Sequence, residues 1–127
     1  PLTVYEPGTQ ARNFVHVKDV ARAYARSAER LVEQLSNGKT ETKTYKIASE
    51  EDPSVKRVGE TVQEVAREER GIDVNVELVE NQRSVETMVE EFEVDISKTR
   101  SRIGWNSKRT MSGSIRDLTV HDVSMTE

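Results

Sequence analysis

Hydrophobic residues recur along the chain at two kinds of spacing, one typical of strands and one typical of helices. Leu2–Tyr5 is a short apolar and β-branched run, and it ends at a turn signal that contains Pro7 and Gly8. Residues 12–17 alternate between two faces, which predicts a second strand. Because a turn-rich loop separates the two runs, we expect them to form a hairpin.

Helical spacing follows the second run. Asp19 is a good N-cap, because its carboxylate can accept the amide hydrogens of a first helical turn. Apolar residues at a spacing of about 3.6 then continue to Asn37 and Gly38, which predict the end of the helix. A second helix is predicted to begin after Ser54 and to end near Gly71.

The rest of the chain predicts shorter elements. Residues 45–48 and residues 72–79 have the composition of strands. Residues 97–103 predict a short helix that Gly104 closes, and Thr110 is placed to cap a last amphipathic helix.

This order of elements predicts a mixed α/β fold with short strands and about four helices. A length of 127 residues suits one small domain, so we expect residues 1–127 to form a single domain with a disordered tail at 124–127. Hydrophobic residues make up 34% of the chain and charged residues 33%, which predicts a small core under a heavily charged surface.

Charge and cysteine content narrow the function classes. The net charge of -4 argues against nucleic-acid binding, which usually requires a basic excess. The absence of cysteine excludes disulfides, thiolate zinc sites and cysteine nucleophiles. No apolar run approaches the roughly 20 residues of a membrane span, and there is no signal-like start, so a soluble cytoplasmic protein is expected.

The motifs of cofactor binding and catalysis are missing from the sequence. The six glycines do not form the cluster that a dinucleotide-binding turn needs. No tyrosine is followed four residues later by lysine, and the two histidines have no cluster of metal ligands around them. We therefore expect no catalytic, cofactor-binding or metal-binding residue in this chain.

Arginine offers the candidate chemistry. Arg12 and Phe14 are two residues apart on the predicted strand, so both would project from one face, where a guanidinium and a ring can hold a phosphate and cover a ribose or base. A surface arginine beside a core phenylalanine has the same spacing and is the more frequent case. Arg83 and Glu86 lie in a polar loop, where a local ion pair is the simplest interpretation. These residues alone leave the function open.

The first 24 residues, PLTVYEPGTQARNFVHVKDVARAY, resemble a known family. They are similar to the segment that follows the nucleotide-binding core in extended short-chain dehydrogenase/reductases, the NAD-dependent epimerases and dehydratases of nucleotide-sugars typified by UDP-glucose 4-epimerase. Three further motifs of that family follow in the same order: YKIASEEDPSVKRVGE, RSVE and DISKTRSRIGW.

The resemblance implies roles for four residues in binding a nucleotide-sugar. Arg12 matches an arginine that contacts the diphosphate or uridine side, and Phe14 an aromatic residue beside the nucleotide. Arg83 matches a second arginine at the diphosphate, and Glu86 a carboxylate that accepts hydrogen bonds from the ribose hydroxyls. Asn13 departs from the family, which usually has aspartate there.

The resemblance also implies the context of the chain. It would be the substrate-binding C-terminal portion of an epimerase, without the N-terminal Rossmann domain that holds NAD and the catalytic residues. A UDP-sugar is the expected substrate. A dehydratase or reductase of the same superfamily, or a non-catalytic binding protein of this fold, are the alternatives. An unpaired strand at 45–48 and an uncovered apolar face would favour a homo-oligomer.

Overall fold

The computed structural model describes residues 1–82 and 92–125 of the chain. In these residues the short strands and four helices confirm the mixed α/β class. The elements are β1 (Leu2–Tyr5), α1 (Val17–Ser36), α2 (Val55–Arg70), β2 (Val76–Val79), α3 (Ser97–Ile103) and α4 (Met111–Met125).

β1 pairs with β2 in a two-stranded parallel sheet, so the predicted hairpin is wrong. The register places Leu2 opposite Val76. Residues 12–16 form no strand, and the loop before them turns onto the start of α2 instead. There the main-chain oxygens of Gly8 and Gln10 accept hydrogen bonds from the first amides of α2, because those amides have no partner within the helix.

α1 begins three residues earlier than predicted. His16 is its N-cap, with Nδ1 accepting a hydrogen bond of 3.0 Å from the amide of Lys18. The prediction that Asp19 caps this helix is therefore wrong, since Asp19 lies inside the first turn and its side chain is buried. The predicted end is confirmed, because Asn37 is the C-cap and Gly38 follows with a φ of 71°.

α2 has the predicted ends and packs on the sheet. Ser54 Oγ accepts a hydrogen bond of 3.1 Å from the amide of Arg57, and Gly71 closes the helix in the left-handed conformation. Gly59 faces the strands so closely that a Cβ there would lie 3.3 Å from Val4. Glycine thus permits a close approach between α2 and the sheet.

Residues 45–48 do not form the predicted strand in the described part of the chain. Ala48 is buried there, and side chains hold the segment instead of a ladder of main-chain hydrogen bonds. Thr99 Oγ1 donates to the main-chain oxygen of Lys46 at 2.7 Å, and Asn13 donates to that of Ser49 at 2.9 Å. A strand needs a neighbouring strand for its ladder, and no described strand lies beside this segment.

The two last helices begin where the sequence predicts. α3 ends at Gly104, which has a φ of 63°, and Thr110 Oγ1 accepts a hydrogen bond of 3.0 Å from the amide of Gly113 at the start of α4. α4 packs along α2, where Arg116 forms ion pairs with Glu68 and Glu69. It extends to Met125, into the expected tail, whose last two residues lie outside the described range.

A second packing centre lies away from the sheet. It is built around Trp105, whose side chain is completely buried. The buried residues of this cluster come from α1, from the segment before α2, and from both sides of α3: Ala23, Ala48, Ile96, Ile103 and Trp105. No helix in the described residues is long and apolar enough to cross a membrane.

Candidate functional site

Arg12 lies in the irregular loop that leads into α1. Its amide donates to the main-chain oxygen of Pro53 at 3.3 Å, and its guanidinium donates to the main-chain oxygen of Ala11 at 2.8 Å. Ala11 in turn forms an isolated antiparallel bridge with Ser54. The main chain at Arg12 is thus held against the start of α2.

Phe14 lies on the same loop, and 40% of its surface is exposed. It lines a small cavity of about 220 Å³ between this loop, α2 and α4, together with Val58 and Ile115. Arg12 does not line that cavity. Because residues 12–16 do not form a strand, the alternation that predicted a shared face does not apply, and a joint role for the two side chains stays a prediction.

Asn13 anchors the loop between these two residues. Its amide group donates to the main-chain oxygen of Ser49 and accepts from the amide of Ser49, both at 2.9 Å. An ionised aspartate could only accept, so it could not make both hydrogen bonds. Asparagine therefore suits this position, and it ties the loop that carries Arg12 to the segment before α2.

Asp19 joins the beginning of α1 to the chain that follows α3. One carboxylate oxygen accepts from Arg22 at 2.6 Å, and the other accepts from the amides of Lys108 and Arg109 at 3.1 and 3.0 Å. The main-chain oxygen of Asp19 accepts from the indole of Trp105 at 2.8 Å. The carboxylate is 1% exposed. This single buried charge therefore links α1 to the segment that follows α3.

The environment of Asp19 favours its ionised form. Burial by itself raises the pKa of this carboxyl, but the hydrogen bonds from Arg22, Arg109 and Lys108 outweigh burial and lower it. The guanidinium of Arg22 also lies 5.8 Å from the centre of the Trp105 ring, within the range of a cation–π contact.

Arg83 and Glu86 lie outside the described residues, so their predicted roles stay predictions. The chain re-enters the described part at Phe92, whose amide donates to Asp52 Oδ2 at 2.7 Å. The next residue after Asp52 is Pro53, which accepts the hydrogen bond from the amide of Arg12. Phe92, six residues after Glu86 in the sequence, is thus bonded to the neighbour of the residue that anchors Arg12.

A metal site and a dinucleotide site each place requirements on the described residues. There, no three histidine, aspartate or glutamate side chains are grouped so as to hold a metal ion. The first amides of α2 are bonded to Gly8, Gln10 and Ser54, and the amide of Lys18 in α1 is bonded to His16. The start of α2 therefore offers no free cradle for a pyrophosphate.

Residues 1–48 match the model of the NAD dependent epimerase/dehydratase family. No curated protein matches the chain by sequence.

Solved epimerases share the fold. UDP-glucose 4-epimerase of Thermotoga maritima, solved with UDP-glucose, has 17% identity and a TM-score of 0.75, and the match covers 99% of this chain and 36% of that one. UDP-glucose-4-epimerase of Stenotrophomonas maltophila, with bound NAD and formylated UDP-arabinopyranose, has 21% identity and a TM-score of 0.76 over 98% of this chain and 35% of that one. ADP-L-glycero-D-manno-heptose-6-epimerase of Helicobacter pylori has 17% identity and a TM-score of 0.67 over 94% and 32%.

The resemblance predicted from the motifs is supported in sequence over residues 1–48, which match that family model, and in fold over nearly the whole chain. The chain has the fold of one part of UDP-glucose 4-epimerases, and it spans about a third of their length.

The buried carboxylate of Asp19 generates a stability prediction. Replacing Asp19 with Asn should lower the free energy of unfolding at neutral pH by about 2 kcal/mol, because hydrogen bonds from Arg22 to a charged acceptor are lost. Since folding lowers the pKa of Asp19, the carboxylate stabilises the fold above about pH 4, and this contribution is lost as the pH falls through the folded-state pKa. Urea unfolding at several pH values measures both effects.

The control for this experiment is Asp73→Asn, which changes an exposed carboxylate paired with Arg67 at 3.2 Å. We expect a change of no more than about 0.5 kcal/mol. An Asp19→Asn variant as stable as this control, or one that loses stability in acid as steeply as the original chain, would contradict the proposed role of the carboxylate.

The amide of Asn13 generates a second prediction. Asn13→Asp should destabilise the chain by about 1–3 kcal/mol at pH 7, because a carboxylate would face the main-chain oxygen of Ser49. The deficit should shrink as the pH is lowered towards 4, where a protonated carboxyl can donate again. The exposed Asn75→Asp is the matched control, and an equal effect in both variants would show that the hydrogen bonds to Ser49 are unimportant.

Proposed function

We propose that this chain is the nucleotide-sugar-binding, C-terminal part of a NAD-dependent epimerase similar to UDP-glucose 4-epimerase. The observation that carries the proposal is the family match over residues 1–48, because this range contains Arg12 and Phe14. The fold shared with three nucleotide-sugar epimerases supports it. A cytoplasmic location is part of the same proposal.

Arg12 is the residue that we assign to the diphosphate. A guanidinium presents a rigid fork of donors that matches the oxygens of a phosphate. The hydrogen bonds of the Arg12 main chain to Pro53, and of Asn13 to Ser49, fix the loop before any ligand arrives. A loop that is already ordered loses little conformational entropy on binding, which favours affinity.

Phe14, Arg83 and Glu86 complete the proposed site. The ring of Phe14 is partly exposed and offers a flat apolar surface to a nucleotide. We assign the second phosphate contact to Arg83 and the ribose hydroxyls to Glu86. The anchoring of Phe92 at Asp52 supports this assignment. Phe92 follows Glu86 by six residues, and Asp52 precedes Pro53, the residue bonded to Arg12.

NAD would be bound by another part of the parent protein. The start of α2 does not fit a dinucleotide, since its first amides are already bonded. We therefore assign no step of catalysis to this chain. It would bind the nucleotide end of the substrate, so that binding energy away from the reacting sugar positions that sugar.

Two alternatives follow from the same fold. The parent protein could be a dehydratase or reductase of the superfamily, or the chain could belong to a protein that binds without catalysis. The Helicobacter pylori epimerase is named for an ADP-linked sugar, so ADP is the natural competitor of UDP. A parent sequence with a glycine-rich motif and a Tyr-x-x-x-Lys pair ahead of residue 1 would exclude the non-catalytic alternative.

Nucleotide titration tests the proposed site. UDP should bind to the 127-residue chain in isothermal titration calorimetry, and Arg12→Gln and Arg83→Gln should each weaken binding by about tenfold or more, because each removes a charge-assisted hydrogen bond to phosphate. A parallel titration with ADP reports the preference for the base. Arg67→Gln, which removes an exposed arginine from α2, is the matched control.

UDP binding that is equally strong in Arg12→Gln, Arg83→Gln and Arg67→Gln would refute the assignment. A chain that binds neither UDP nor ADP at millimolar concentration would refute nucleotide binding by this part of the protein alone.

The face of α1 is proposed as the contact with the rest of the parent protein. Its large apolar side chains are exposed: Tyr24 is 75%, Leu31 53% and Leu35 55% accessible. These side chains line an apolar groove of about 730 Å³ beside residues 39–45. The epimerases that share the fold are nearly three times as long as this chain, which leaves ample protein to cover the groove.

In the isolated chain, a second copy should cover this groove. We expect sedimentation velocity to show concentration-dependent association, because exposed apolar patches of this kind favour contact. Leu31→Lys should shift the chain towards monomer, whereas Leu118→Lys, which changes a still more exposed leucine on α4, should not. A chain that is strictly monomeric at high concentration contradicts this prediction.

A further inference from the structure

A small cavity near the end of α1 is lined almost entirely by polar and cationic side chains. Its volume is about 230 Å³. Four cations surround it: Arg30 from α1, Lys39 and Lys43 from the segment after that helix, and Arg102 from α3. Glu41 is the one carboxylate in the lining. This cavity therefore carries three net positive charges in a chain whose net charge is -4.

The carboxylate in the lining does not neutralise these cations. Glu41 is engaged by Lys43 at 2.7 Å. The hydrogen bond from Lys43, together with the charges of Lys43 and Lys39, lowers the pKa of Glu41, which is the effect expected of a positive surrounding potential. Arg102 makes no ion pair with any residue in the described part of the chain.

Arg30 supplies a donor that has no acceptor in the described part of the chain. One of its terminal nitrogens pairs with Glu33 at 3.1 Å. Its Nε is buried and has no hydrogen-bond partner among the described residues. A buried donor without an acceptor is costly, so a ligand oxygen at this position would be favourable.

The cations are not needed to cap α1. The last main-chain oxygens of the helix accept hydrogen bonds from amides: Asn37 donates to Glu33 and Gln34, Gly38 to Leu35, and Lys39 to Gln34. The orphan carbonyls of a helix end are therefore satisfied by the main chain. The four cationic side chains are thus not engaged by the end of the helix, although Lys43 is paired with Glu41 and one nitrogen of Arg30 with Glu33.

We propose that this cavity binds a phosphate group. A dianion with several oxygen acceptors matches the charge and the donors, and a water occupies about 30 Å³ in the liquid, so the cavity has room for a phosphate with some of its water. The site is separate from the proposed nucleotide site. Arg30 lies thirteen residues beyond the first residue of α1, which corresponds to about 20 Å along the helix axis.

The test is a titration of the 127-residue chain with inorganic phosphate, followed by the amide signals of Gln34, Thr42 and Thr44 in two-dimensional NMR. A Leu31→Gln background keeps the neighbouring groove free of a second copy without adding a cation beside the cavity. Replacing Arg30 and Arg102 together with Gln should weaken phosphate binding by about tenfold or more. The matched control replaces Arg57 and Arg67 with Gln, which removes the same charge from α2 and should change the affinity by less than about twofold.

Three results would overturn the proposal: no shift of these signals in phosphate, equal weakening in both double variants, or loss of phosphate binding in Arg12→Gln. The last result would place phosphate at the proposed nucleotide site instead. Conversely, phosphate binding that survives Arg12→Gln supports the cavity even if UDP does not bind. Glucose 1-phosphate in a second titration identifies the source: tighter binding of the ester indicates a phosphorylated metabolite, and tighter binding of the free ion indicates inorganic phosphate.

Discussion

The buried carboxylate of Asp19 is the interaction on which the arrangement of this chain depends. It lies in the first turn of α1 and accepts hydrogen bonds from Arg22 and from two amides in the segment after α3. The main chain of the same residue accepts the hydrogen bond from Trp105, at the centre of the second packing cluster. Groups that are distant in sequence thereby bind one carboxylate. The buried charge is tolerated because its oxygens accept hydrogen bonds.

The loop before α1 is held by a second set of polar contacts. Its carbonyls cap the start of α2, Arg12 is hydrogen-bonded to Pro53, and Asn13 is bonded to Ser49. None of these contacts requires regular secondary structure. They nevertheless fix the position of Arg12, which explains how an irregular loop can carry a proposed binding residue.

The two ends of α1 have different surroundings. Its N-terminal end carries Asp19 and follows the loop of the proposed nucleotide site. Its C-terminal half presents an apolar groove, where Leu31 and Leu35 are exposed, and beside that groove a cavity lined by cations. The apolar face suits protein and the cationic cavity suits phosphate, and the two surfaces adjoin, because Lys39 and Lys43 line both.

Local signals in the sequence predicted most of the helix ends correctly. Ser54, Gly71, Gly104 and Thr110 act through their own side chain or backbone within one turn, and they occupy the predicted positions. The family motifs likewise indicated the fold. Resemblance to proteins of known fold carries information on tertiary structure that residue spacing does not. Of the four site residues, the structure describes Arg12 and Phe14.

What failed were the predictions that depend on a distant partner. The sequence by itself determined where helices can begin and end, since capping involves neighbours along the chain. Only the tertiary structure decided that β1 pairs with β2 and that residues 45–48 form no ladder of main-chain hydrogen bonds. It also decided that Asp19 accepts buried hydrogen bonds, while His16 caps α1. The reason is physical: a strand or a buried carboxylate is satisfied by groups far along the chain, and local spacing carries no information about which groups the fold brings near.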